Sequence, residues 1–112
     1  MNQTIENTNF RTSKDQLSDG ELWVIPWPAT FSAGCVVVGA NGSSTGALIH
    51  VRAGSSPQIL PFVALANVTV TSTDISLAPP ASGTGKITVG RSAEGLQVHA
   101  GASLSVSITF LG

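Results

Sequence analysis

Leu104-Ser105-Val106-Ser107-Ile108-Thr109-Phe110 alternates apolar and hydroxyl residues without a break. A period of two is the repeat of a β-strand, whose successive side chains point to opposite faces of a sheet. The stretch therefore predicts a strand with Leu104, Val106, Ile108 and Phe110 in a core and a Ser/Thr face outside it. Upstream, Leu96-Gln97-Val98-His99-Ala100 alternates in the same way, and Gly101-Ala102 can turn the chain between the two strands. Further back lie Lys86-Ile87-Thr88-Val89, a segment from Ile59 to Ala66 continued by Val68-Thr69-Val70-Thr71, and Ala47-Leu48-Ile49-His50-Val51. Val36-Val37-Val38 is β-branched and poor for helix. Leu22-Trp23-Val24-Ile25 makes the first strand, stopped by Pro26 and Pro28. The spacers carry turn chemistry: Asn41-Gly42, Gly54-Ser55-Ser56-Pro57, Pro79-Pro80 and Gly83-Thr84-Gly85. About eight short strands at this spacing predict an all-β fold, a small antiparallel β-sandwich or jelly-roll-like barrel.

The 112 residues suit one small domain. Charge divides the chain in two. Residues 1–21 contain Glu6, Arg11, Lys14, Asp15, Asp19 and Glu21, whereas residues 22–112 contain only Arg52, Asp74, Lys86, Arg91 and Glu94. The expected organisation is an extended polar N-terminal arm over 1–21 and a β-sandwich or jelly-roll domain over 22–112. Within the arm, a short helical turn has room near Ser13 to Leu17. Charged residues make up 10% of the whole, against roughly 25% in ordinary soluble domains. The net charge of -1 gives no electrostatic attraction to nucleic acid or to anionic lipid. No apolar run approaches the ~20 residues that cross a bilayer, and Met1 to Asn7 has no apolar signal core. The chain is expected to fold in a cytoplasm, without nucleic-acid or membrane partners.

Ser82-Gly83-Thr84-Gly85-Lys86-Ile87-Thr88 has the glycine-lysine pair of a phosphate-binding loop. The first glycine of that pattern is replaced by Pro80 and its magnesium ligand by Ile87. A strand, not a helix, is expected to follow, so the segment reads as a surface loop. His50 and His99 could meet from separate strands, but metal sites need three or four ligands. Asp74 and Glu94 form no acidic motif, and no nucleophile elbow is present. Cys35, the single cysteine, sits in an apolar run and reads as a small buried hydrophobe. No catalytic residue, cofactor or metal is expected.

Trp23-Val24-Ile25-Pro26-Trp27-Pro28 places two tryptophans at the same parity on an extended chain. They either close one end of the core or present an aromatic surface to a sugar ring, a receptor or a partner protein. Low charge on the body favours assembly, because interface cores are depleted in charged residues. The candidate partner-binding residues are Ile5, Phe10 and Leu17 of the arm, with Trp23 and Trp27.

The polar arm and the Ser/Thr/Gly/Ala-rich strands ending at Phe110-Leu111-Gly112 resemble small accessory structural proteins of tailed-phage particles. These are head decoration or cement proteins and small tail proteins. The resemblance covers the whole chain in style and rests on no motif. It implies a non-enzymatic virion protein that braces neighbouring major capsid subunits, or another virion protein, as a homo-oligomeric dimer or trimer. The alternative is a carbohydrate- or receptor-binding module, on a phage tail or a cell surface, that uses Trp23 and Trp27.

Overall fold

Val106, Ile108 and Phe110 are at most 1% exposed, and the Ser and Thr residues between them are half-buried. The alternation in the sequence is thus the alternation of faces in a strand. The computed structural model describes residues 9–112. Nine strands follow in chain order: β1 (Phe10–Leu17), β2 (Leu22–Pro26), β3 (Ala33–Ala40), β4 (Gly46–Arg52), β5 (Gln58–Ala64), β6 (Val68–Val70), β7 (Ile87–Ser92), β8 (Gly95–Ala100) and β9 (Leu104–Leu111). No helix occurs among the described residues. The strands form a five-stranded sheet, β1-β9-β3-β4-β5, and a four-stranded sheet, β2-β8-β7-β6. All pairings are antiparallel except β6 with β7. The fold is the expected all-β sandwich.

The core lies between the inner faces of the sheets. Val36 and Val38 from β3, Ile49 and Val51 from β4, and Leu96 and Val98 from β8 are all within 2% of complete burial. At one end Phe110 gathers three aromatic rings, Phe31 at 5.2 Å, Phe10 at 6.0 Å and Trp27 at 6.4 Å between centroids. The Phe31 and Trp27 contacts are edge-on and the Phe10 contact is tilted, and such geometries add to the area that each ring removes from water.

Several expectations change in three dimensions. Phe10–Leu17, assigned to the polar arm with room for a helical turn, is strand β1. It pairs with β9 from Phe10↔Phe110 to Leu17↔Leu104, with an irregularity between Lys14 and Leu17. The uncovered backbone of β9 supplies the hydrogen-bond partners that its polar composition conceals. Lys14 pairs with Glu21, the Ser105 hydroxyl donates to the Asp15 carbonyl, and Leu17 is completely buried. The domain therefore starts well before residue 22.

The segment Ile59 to Thr71, expected as one continuous strand run, divides into β5 and β6 on different sheets. Asn67 makes the corner: its side-chain amide donates to Ser43 O (2.7 Å), and Val68 N donates to Leu65 O (3.0 Å). Gly101-Ala102 likewise turns the chain, but from one sheet to the other, because β8 and β9 lie in opposite layers. A Cβ on Gly101 would sit 2.8 Å from the Lys86 carbonyl oxygen, which accepts the Gly101 N–H at 2.7 Å.

The chain between β6 and β7 folds over the outer face of the four-stranded sheet. Ile75 is 4% exposed and rests on Gly90, where any side chain would meet it. Gln97, nearly inaccessible, accepts from Ile75 N (2.9 Å) and donates to Asp74 Oδ1 (2.7 Å). Asp74 Oδ1 also accepts from Ser76 Oγ (2.5 Å) and Ser76 N (3.0 Å). The Ser76 hydroxyl, then the Gln97 amide, hold the Asp74 carboxyl below its ordinary value of 3.8. A depressed folded-state pKa contributes stability above the ordinary value, and that contribution is lost as pH falls through the folded one. Thermal melts followed by circular dichroism should therefore show a falling midpoint on acidification below 3.8. Asp74→Asn, which keeps the shape and the acceptor, should flatten that fall. An unchanged slope would remove Asp74 as the linked group.

Candidate interaction surface

Cross-strand partners in a sheet share a face, so the register identifies what lies outside the five-stranded sheet. One row runs Thr109–Val37–Leu48–Val63 and the next runs Leu111–Cys35–His50–Leu60. The inward positions of these strands carry core residues such as Val36, Ile49 and Ile59. Both rows therefore point away from the core. Phe62 is the extra residue of the bulge opposite Leu48 and Ile49, and its ring packs edge-on to His50 at 6.0 Å. Leu60, Phe62, Val63 and Leu65 are each 51–65% exposed, and Val37 and Leu111 nearly 40%. The surface is a contiguous apolar patch across β3, β4 and β5, continued by Leu65. Patches of this kind on a soluble domain mark contact sites.

The two edges of this sheet differ in chemistry. The β1 edge carries Arg11 and Asp15 in the open, with the Lys14–Glu21 pair beside them. The β5 edge has no Asp, Glu, Lys or Arg anywhere from Ala53 to Thr73. The first half of its backbone nevertheless offers no free N–H to a further strand. Ile59 N–H points away from β4 and donates to Ser72 Oγ (3.2 Å). Two residues on, where the next outward N–H would stand, is Pro61, which has none. Over Ile59 to Pro61 the edge offers side chains and no free N–H.

The residues singled out in the sequence take other places. Trp23 and Trp27 share an inward face, as their parity suggested, and pack against the core. Trp27 Nε1 donates to the Ser92 carbonyl (3.0 Å). Trp27 closes the Phe110 end of the sandwich, Trp23 packs against the core opposite Val98, and the two do not form an open platform for a sugar ring. Leu17, expected at an interface, is core. Phe10 is 43% exposed at the edge of the Phe110 cluster, and Ile5 lies outside the described residues. Cys35, expected inside, is a half-buried free thiol on the outer face, because Val36 and Val38 take the inward positions of β3. Three consecutive valines carry no parity, so the sequence could not choose between the two phasings.

Nor do the polar candidates assemble into a chemical site. His50 is exposed on the outer face of one sheet, while His99 is 3% exposed on the other, at opposite parity to inward Val98. The sandwich separates them. Among the described residues, no three His, Cys, Asp or Glu side chains gather as metal ligands. In the glycine loop, Gly83 N donates to Asp19 Oδ1 (2.8 Å) and Gly85 N to the Gly101 carbonyl (2.9 Å). The amides that a phosphate loop would turn towards its ligand are used inside the protein, and β7 follows.

The patch residues on β5 escaped the sequence reading, although a signal was present. Ile59-Leu60-Pro61-Phe62-Val63-Ala64-Leu65 has no period of two. A strand with one face in a core needs only alternate apolar residues, so such a run has apolar side chains left over for the other face.

No family model, curated protein or solved structure matches this chain.

Proposed function

We propose that this is a non-enzymatic structural protein of a virion, a decoration or cement protein that braces neighbouring shell subunits. The observation that carries this reading is the apolar outer face of β3, β4 and β5. A free domain gains nothing from leaving Leu60, Phe62, Val63 and Leu65 in water; burial against a partner recovers roughly 25 cal/mol for each Å² of apolar area covered. The Ser/Thr-rich, weakly charged remainder of the body supports the same reading, because little of it would oppose close packing in a crowded shell. The resemblance of the chain to accessory proteins of tailed phages supplies the setting.

The test uses antibody raised against the purified protein. Immunogold labelling of particles purified on a density gradient from the source culture should place the protein on shells. Purified Leu60→Glu protein should then fail to sediment with stripped particles that bind the parent. Label confined to fractions without particles would overturn the reading.

A further inference from the structure

We infer that the occupant of the β3–β4–β5 face is a second copy of this chain, packed sheet on sheet about a two-fold axis as a closed dimer. The inference rests on the reading of that face as an interface, and names its partner: the shell is then met by the paired protein, and Leu60→Glu loses shell binding because it loses the pair. Four observations lead to it.

The first is area. At their observed exposures, Leu111, Val37, Leu60, Phe62, Val63 and Leu65 present on the order of 500 Å² of apolar surface. Two copies with a polar rim then come within reach of the ~1,200–2,000 Å² buried by specific interfaces. The second is charge. The only permanent charge in the outer rows of these strands is Arg52, at the end of β4, where it faces Ala33 and Gln58. A neutral patch is complementary to itself, and a two-fold axis needs no second kind of surface.

The third observation is the closed edge. With Ile59 N–H held by Ser72 and Pro61 lacking an N–H, β5 offers no free donor over Ile59 to Pro61, which disfavours its pairing with a strand of a neighbouring chain. Contact through this region is thereby favoured at the face, and a two-fold face contact ends at two copies. The fourth is the asymmetry of cover. On the four-stranded sheet the Asp74–Ile75 segment covers the outer face at Gly90 and Gln97 and leaves Val24 36% exposed, whereas Leu60 and Phe62 are 65% and 61% exposed.

The experiment is light scattering on the purified full chain over a concentration series, paired with alkylation of Cys35. The expected mass is twice the 11.4 kDa monomer. Cys35 lies within the patch, between Leu111 and His50 in register, so its alkylation should slow as the protein is concentrated. Phe62→Glu should give a monomer with an unchanged circular dichroism spectrum and a Cys35 rate independent of concentration. Arg11→Glu, on the opposite edge, should remain a dimer. A parent chain that stays monomeric, or grows without limit, overturns the inference. So does a dimer that survives both Phe62→Glu and Leu60→Glu, or one in which Cys35 reacts at a constant rate. The outcomes separate from those of the proposed function: a monomer that still binds shells through Leu60 sinks only the dimer, and a dimer that never labels a shell sinks only the virion role.

Discussion

Truncation of Phe110 to alanine is expected to cost about 3–5 kcal/mol of folding stability. The side chain is completely buried, and Phe10, Trp27 and Phe31 all pack against it. Its removal takes away the transfer energy of one ring and leaves a cavity that three other rings cannot fill without leaving their own positions. Phe31 is 5% exposed and Trp27 is tied to the Ser92 carbonyl, so neither can move in freely. For a domain of this size, the loss should lower the melting midpoint by more than about 12 °C. Phe110→Leu should recover part of it, since volume is better conserved. Urea unfolding of the three proteins measures the difference. A loss below about 1 kcal/mol for the alanine variant would mean that the cluster collapses readily and does not anchor this end of the sandwich.

Deletion of residues 1–17 should abolish the folded state. Composition alone presents this segment as a removable arm, but the structure makes Phe10–Leu17 the edge strand of the larger sheet. Three losses coincide. The paired edge of β9 opens along its length, from Phe110 to Leu104. Leu17, with no exposed surface, leaves a hole worth about 2–5 kcal/mol by comparison with other buried leucines. The Lys14–Glu21 pair and the Ser105 bond to the Asp15 carbonyl go as well. Against a total stability of about 5–15 kcal/mol for a typical domain, these terms are decisive. The unpaired β9 edge would then be open to other chains, with Ser105, Ser107 and Thr109 offering no charge to repel them. Deletion of residues 1–8 leaves β1 whole and is the proper comparison. Circular dichroism and amide-resolved magnetic resonance on both truncations decide the point. A well-dispersed spectrum from the longer deletion would show that β1 is dispensable and the arm separable.

These expectations mark how far the residues could be read in one dimension. The alternation of Leu104 to Phe110 and of Leu96 to Ala100 was sufficient to place strands and their inward faces. Side-chain direction in a strand is a local property of the backbone. The same logic put Trp23 and Trp27 on one side, although it could not say whether that side was core or solvent. Glycine and proline marked turns correctly, because their conformational limits are also local. The replaced positions at Pro80 and Ile87, with a strand expected after the glycines, read against a phosphate loop.

What the sequence by itself determined is therefore the class of fold: short strands, each with at least one apolar face, and polar turns between them. What only the tertiary structure decided is which strand lies beside which, and which faces remain uncovered. β1 is a strand because β9, more than eighty residues away along the chain, presents an unpaired backbone to it. Leu17 is core and Cys35 is not, because the sheets meet on one side of each strand and not the other. The interaction surface exists because the Asp74–Ile75 segment crosses one outer face while Leu60 and Phe62 stay exposed on the other. Local periodicity follows from backbone geometry within a few residues. Partnership and cover are set by contacts between distant residues, and no window along the chain contains both sides of such a contact.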